Sequence, residues 1–431
     1  LEILVEKMDN EKRAERRRKK KMRAVVVFLA IAVVVAGAFL VMGAYKNQDR
    51  IDKVIAKADK FQKSYFYDRA LDVLKEDKSL YDPDDEDDPV TQKINEIQKA
   101  KKELVKYDGF VEHIFFHSLI VYPQLAFDDK GHPALGYNAW MTTASEFKKM
   151  LPLLQERGYI LYPIEEVCNI DKETGKVKPK DIYLPKGKKP LIISIDDVDY
   201  YDYMKPDGFA GRLVVDKNGK VATEVKTPEG KTETTYDGDV MPILDRYVEK
   251  NPEFSWQGYK GIVATTGYQG AFGYRITDGL PKTEEWREEV KEISKALRKS
   301  GWDIACHSYT HDGYLKDADV SLGSMKSDID RWKSNIEPYV GETAIYISPY
   351  GFQYMSGSTA HRYIVDSGFH IFCPVSNIRK LSFYKDVMVS PRVNIDGYKM
   401  MLAPQEVNEY YFDVNKVLDD ARPPFDAESV V

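Results

Sequence analysis

Apolar and polar positions give the chain three textures. From residue 24 to residue 44 every position is apolar or glycine, a run about long enough to span the roughly 30 Å hydrocarbon layer of a bilayer. Between residues 45 and 108 the chain is charged and helix-favouring. Ile51, Ile55, Phe61, Phe66, Leu71 and Leu74 recur there at loose helical spacing, with no strand-like alternation, which predicts a helical stalk. The acidic run at 82–88, flanked by Pro83 and Pro89, is expected to break that stalk into two helices through a solvated turn. After Asp108 short apolar runs alternate with amphipathic stretches, the rhythm of a parallel α/β architecture.

Within that last part, 113–121 reads as a strand. Thr143 and Glu146 form a capping box opening a helix whose Phe147, Met150, Leu151 and Leu154 share a face and which Gly158 closes. Residues 191–195 read as a buried strand. From about 208 to 240, Val and Thr alternate with charged residues around Asn218-Gly219 and Glu229-Gly230, which predicts inserted β-hairpins. The α/β rhythm resumes with a helix at 242–250, a strand at 261–266, a helix at 283–300 and a strand at 302–306. Two more helix and strand pairs follow, making about seven strands after Asp108.

Charge adds a direction. Nine Lys and Arg residues lie between Lys12 and Arg23, immediately before the apolar run. The positive-inside rule makes residues 1–23 a cytoplasmic tail, 24–44 a single-pass transmembrane anchor in the plasma membrane, and everything beyond it extracytoplasmic. A cleavable signal peptide is the competing reading, but its apolar core is usually shorter and is followed by a small-x-small site that is not evident here. With net charge -6 and its densest basic run on the tail, the chain is not expected to bind nucleic acid. Cys168, Cys306 and Cys373 are odd in number, far apart and without a CxxC pair, so neither a disulfide framework nor a thiolate zinc site is expected.

Two features carry chemistry. Asp196-Asp197 ends the strand at 191–195, at the edge where α/β folds place their sites; one carboxylate can bind a metal while the other acts as a base. Alone, the pair reads as readily as a helix N-cap with a solvated neighbour. His307 and His311 follow the strand at 302–306, four residues apart, a spacing that puts both on one helical face and suits capture of a divalent cation. Together they supply one carboxylate and two imidazoles, a set that leaves coordination open for water, as catalytic zinc requires.

On these residues the chain resembles the polysaccharide deacetylase, or NodB-homology, family (carbohydrate esterase family four). Its Thr-Phe-Asp-Asp-Gly motif is matched by Ser194-Ile195-Asp196-Asp197-Val198 and its His-Ser/Thr-x-x-His motif by His307 to His311. Its Arg-x-Pro-Tyr motif is matched in part by Ile347-Ser348-Pro349-Tyr350. Ile114-Phe115-Phe116-His117-Ser118 looks like the opening of the subgroup related to poly-N-acetylglucosamine deacetylases. The likeness runs from about His113 to Arg392, leaving out the anchor, the stalk, the hairpin insertion and the C-terminal tail.

The resemblance implies a distorted (β/α) barrel of parallel strands over residues 109–431, and a divalent metal, Zn2+ first, held by Asp197, His307 and His311. It implies Asp196 as the base, His117 as the acid, the Tyr350 backbone N–H at the oxyanion, and Arg392 as the residue orienting the catalytic aspartate. The substrate it implies is a surface polysaccharide or peptidoglycan. Val198 stands where the family has glycine, and Ile347 where it has arginine. Tyr200, Tyr201 and Tyr203 are the preferred sugar-stacking residues among aromatics that include Tyr268, Phe272 and Tyr274, although such side chains serve equally well in a core. A silent glycan-binding protein retaining the metal site, and an O-acetyl esterase, are the alternative readings.

Overall fold

The computed structural model describes residues 1–277 and 279–430, which form two compact units. The first comprises residues 1–62 and 66–102. Its leading helix, Glu2–Lys63, does not stop where the apolar run ends. That run is exposed throughout, and the helix is long and apolar enough to cross a membrane. Helices Tyr67–Lys75 and Pro89–Lys102 complete the unit. Ile51, Ala58, Ala70, Leu74, Val90, Ile94 and Ile97 supply its buried apolar surface. The expected break at the acidic run is a turn in which Asp82 and Asp85 accept hydrogen bonds from the Asp84 and Asp87 amides, and Asp88 accepts from Val90 and Thr91. A second break separates Lys63 from Tyr67, where Tyr65 takes a left-handed φ of 63° that no helical spacing signals.

The second unit is built on a ten-stranded sheet. In chain order its strands are β1 (Glu112–Phe116), β2 (Tyr159–Leu161), β3 (Lys189–Ile195), β4 (Gly261–Thr265), β5 (Trp302–Cys306), β6 (Ile345–Ile347), β7 (Ile371–Cys373), β8 (Ser382–Phe383), β9 (Met388–Val389) and β10 (Val393–Asn394). They pair in the order β8-β9-β7-β6-β5-β4-β3-β1-β10, with β2 beside the first half of β3. Every pairing is parallel except that of β8 with β9. The expected seven-strand barrel is therefore corrected. The sheet follows one open path, and an isolated bridge between Val375 and Arg392 links its flanks where a ladder would close a barrel. The additional strands are two or three residues long, too short for a period-two pattern to register.

The helices form where the periodicity places them. The capping box is complete, with the Thr143 hydroxyl accepting from the Glu146 amide and the Glu146 carboxylate accepting from the Thr143 amide, opening helix Ala144–Glu156. Phe147, Met150, Leu151 and Leu154 are all buried against the sheet side. The hairpin insertion is present as strands Ala210–Val215, Val221–Lys226 and Thr232–Thr235, turning at Gly219 and Gly230, both left-handed. The strand expected at 113–121 ends at Phe116, because the chain then leaves the sheet toward the site.

The C-terminal tail belongs to the core. Arg422 lies beneath helix Ala144–Glu156, donating to both carboxylate oxygens of the fully buried Glu146 at 2.6 and 2.8 Å and to the carbonyls of Asn138 and Met141 at 2.7 Å. Removing one member of such a pair strands a buried charge, whereas replacing both with apolar residues need not. Arg422→Ala should lower unfolding stability by about 3–5 kcal/mol, and Glu146→Leu with Arg422→Met should recover most of that loss, as read by denaturant unfolding of the two variants.

Candidate active site

Parallel strands bring their C-terminal ends to one edge, and that edge carries the chemistry. His117 follows β1, Asp196 and Asp197 follow β3, His307 follows β5, and Tyr350 lies on the turn after β6. The two aspartates diverge because Asp197 takes a left-handed φ of 55°. Val198 therefore needs no glycine: the strained position falls one residue earlier, and the valine packs fully buried in the core.

Asp196 is 3 % exposed and accepts a 2.6 Å hydrogen bond at Oδ1 from the fully buried Arg392. Burial pushes its carboxyl up, but the charges of Arg392 and then His307 outweigh burial and bring it down to about 2. Arg392 is itself fixed by donation to the Cys373 carbonyl at 2.9 Å and the Ser194 hydroxyl at 3.2 Å, with its guanidinium over the Phe115 ring. Asp197 accepts the Tyr201 hydroxyl at 2.7 Å. Burial opposes its ionisation as well, and His311 and His307 outweigh it, leaving the group below its usual range.

The histidines do not share a helical face, contrary to expectation. Residues 307–311 form a loop in which Ser308 (φ 65°) and His311 (φ 50°) are left-handed, and the loop itself turns the two rings together, with centroids 5.0 Å apart. A residue outside every motif holds that loop. Asp328, 1 % exposed on helix Leu322–Asn335, accepts from the Tyr309 amide at 2.7 Å, the Thr310 amide at 2.9 Å and the Thr310 hydroxyl at 2.6 Å. A lone aspartate twenty residues downstream gives no sequence signal of this role.

The donor set fits a divalent metal. One ligand atom from each of Asp197, His307 and His311 lies within 4.8 Å of the others. His307 Nδ1 is 2.8 Å from the Ile347 carbonyl, which accepts from an N–H there and leaves the Nε2 lone pair facing the carboxylates. That nitrogen lies 3.9 Å from Asp196 Oδ2 and 3.8 Å from Asp197 Oδ1. Burial lowers the His307 pKa more than the aspartates raise it, which favours the neutral imidazole a metal requires. Ile347, where an arginine was expected, keeps its side chain in the core and contributes only this carbonyl.

The other sequence-selected residues divide. His117 sits edge-on to Phe115, close enough for its charge to bear on Asp196, Asp197 and the buried Asp396. Asp396, missed in the sequence, caps helix Gly397–Leu402 and also accepts from the Asn394 side chain. Tyr350 is half exposed, sets its ring at a tilt 4.6 Å from that of His311 and donates its hydroxyl to the His311 carbonyl at 3.0 Å. Tyr201 and the 41 %-exposed Tyr203 stack nearly parallel, and the Tyr268 ring lies tilted 5.5 Å from that of Tyr201. Tyr200 is a correction: it is 2 % exposed, with its hydroxyl committed to Asp239 at 2.5 Å, and of the three tyrosines only Tyr203 is exposed. Phe272 and Tyr274 are likewise core. Five of the nine left-handed non-glycine residues among those described are Asp197, Tyr200, Ser308, His311 and Tyr350, a concentration of backbone strain of the kind found at functional sites.

No family model matches the chain, and neither does any of the curated proteins compared with it. Among solved structures it is similar to a Streptococcus pyogenes deacetylase, PplD, in complex with acetate, at 12% identity and a TM-score of 0.38, covering 72% of this chain and 99% of that one. It is also similar to a de-N-acetylase from Aggregatibacter actinomycetemcomitans, at 14% identity and a TM-score of 0.38, covering 66% of this chain and 95% of that one. In its Asp196-Asp197 and His307 to His311 motifs the chain resembles polysaccharide deacetylases.

Because Asp328 positions the histidine loop without reaching the ligand atoms, its removal should act on metal binding. Asp328→Ala is expected to weaken zinc affinity by about 10–100-fold in a calorimetric titration, with Asp328→Asn losing less. Unchanged affinity would remove Asp328 from the site's support.

Proposed function

We propose that the chain is a membrane-anchored, metal-dependent deacetylase that hydrolyses N-acetyl groups of an N-acetylhexosamine polysaccharide outside the plasma membrane, releasing acetate. The convergence of the Asp197, His307 and His311 ligand atoms within 4.8 Å, beside a second carboxylate paired with a buried arginine, carries this reading. Residues 1–23 would be the cytoplasmic tail, 24–44 the anchor, 45–108 the stalk and 109–431 the catalytic part.

A divalent metal held by Asp197, His307 and His311, zinc in the first instance, supplies Lewis acidity toward a carbonyl oxygen and toward water. Asp196, ionised at neutral pH, accepts a proton from the water that attacks the acetamide carbonyl. Arg392 occupies Oδ1 and so leaves Oδ2 toward the site. The Tyr350 backbone N–H donates to the oxyanion of the tetrahedral intermediate. His117 delivers a proton to the amine nitrogen as the C–N bond breaks. Tyr203, stacked on Tyr201 beside Asp197, offers a ring face to a pyranose.

The test is acetate release from N-acetylglucosamine oligomers and peptidoglycan by the full chain in detergent micelles, loaded with zinc. Asp196→Asn and His117→Ala should each lower the rate by at least about 100-fold while zinc stays bound, and a chelator should abolish release until metal is restored. A zinc-loaded chain that binds the oligomers yet releases no acetate would replace this reading with that of a glycan-binding protein.

A further inference from the structure

The edge of the sheet opposite the candidate active site holds a second cavity, of about 550 Å³, within the roughly 300–1,000 Å³ of small-molecule sites. Asp303, on β5, lines it. That residue is four positions upstream of His307, roughly 13 Å along the strand, so the two sites occupy the two ends of one strand. The walls are aromatic: Tyr162 and Trp256 lie with ring centroids 5.9 Å apart, and Tyr183 is 49 % exposed at the mouth.

Its polar groups are unevenly satisfied. Glu166 and Asp181 are each paired with a lysine, Lys180 and Lys106. The Arg298 guanidinium is engaged by the Val340 and Glu342 carbonyls. Glu165 and Asp303 have no salt bridge among the described residues. Tyr259 also lines the cavity: it is 7 % exposed, and its buried hydroxyl lies beside the Asp303 carboxyl. A hydroxyl and a carboxyl side by side offer a ligand both a donor and an acceptor at one place.

Aromatic walls suit the apolar face of a pyranose, and two carboxyl groups outside any ion pair, with the Arg298 charge reaching Asp303 but its guanidinium engaged by carbonyls, suit an ammonium group. We propose that this cavity binds an amine-bearing hexosamine, a unit of the deacetylated polymer, with the ammonium donating to Asp303 and Glu165 and a ring hydroxyl meeting Tyr259. The choice of an amino sugar over another organic amine rests on the deacetylase reading of the opposite edge. Burial, and next the charge of Glu165, lift the Asp303 carboxyl to about 7, and a bound ammonium offsets both. The cavity would hold polymer already deacetylated while distant units reach the candidate active site.

Direct titration separates this proposal from the catalytic one, because acetate release is not read. The full chain in detergent micelles is titrated calorimetrically with a glucosamine trisaccharide and with its fully N-acetylated counterpart. The amine form should bind, and Asp303→Asn combined with Glu165→Gln should weaken it by at least about tenfold. Tyr259→Phe, which removes a single oxygen and is the safeguard should the double variant unfold, should weaken it about threefold or more. Absence of binding by the amine form, binding no tighter than that of the N-acetylated form, or an affinity unmoved by Tyr259→Phe would each overturn the proposal. Any of these results leaves the deacetylase reading intact, and loss of acetate release leaves this one intact.

Discussion

A buried guanidinium and a buried carboxylate hold the centre of this molecule. Arg392 and Asp196 are almost wholly removed from water, and neither charge is tolerable there without the other. The pair keeps Asp196 ionised where burial alone would favour the acid. It also ties β3 to the segment that leads into β10, at the place where the sheet has no ladder to close it. The arginine has three protein acceptors and an aromatic ring beneath it, so the carboxylate receives a fixed donor rather than a mobile one. A planar guanidinium held through Nε and Nη1 meets the carboxylate in one fixed orientation.

Around that pair the site is assembled from strand ends and strained turns. Asp197 diverges from Asp196 because its backbone is left-handed, and His311 returns toward His307 because two residues of their loop are left-handed. These conformations are uphill for side-chain-bearing residues and persist only where neighbours determine them. Asp328 does so for the histidine loop with three hydrogen bonds, and the Ile347 carbonyl does so for the His307 ring. The two departures from the family pattern fall where only packing is asked of the side chain. Val198 sits just after the strained residue, and Ile347 contributes its backbone oxygen.

The opposite edge of the sheet applies the same economy of placement. β5 leads from Asp303 at one end to His307 at the other, so one rigid element sets both an aromatic, carboxylate-lined cavity and a candidate metal centre.

Much of this was legible from sequence because it is local. Periodicity located helix Thr283–Ser300 and strand Trp302–Cys306, the Thr143 and Glu146 spacing located a helix start, and residue type at the strand ends selected Asp196, Asp197, His307 and His311. What the sequence could not express was non-local or conformational. The histidine spacing implied a helical face, while the loop reached the same convergence through positive φ angles that no residue type there announces. Tyr200 and Tyr203 look alike in the chain, yet a turn buries one against Asp239 and exposes the other. Asp328, Asp396 and Arg422 act across tens to hundreds of residues, on partners that only the tertiary structure brings near. The sequence by itself determined which chemical groups were present and which elements carried them. The tertiary structure decided which groups meet, because burial, charge pairing and backbone strain depend on neighbours in space.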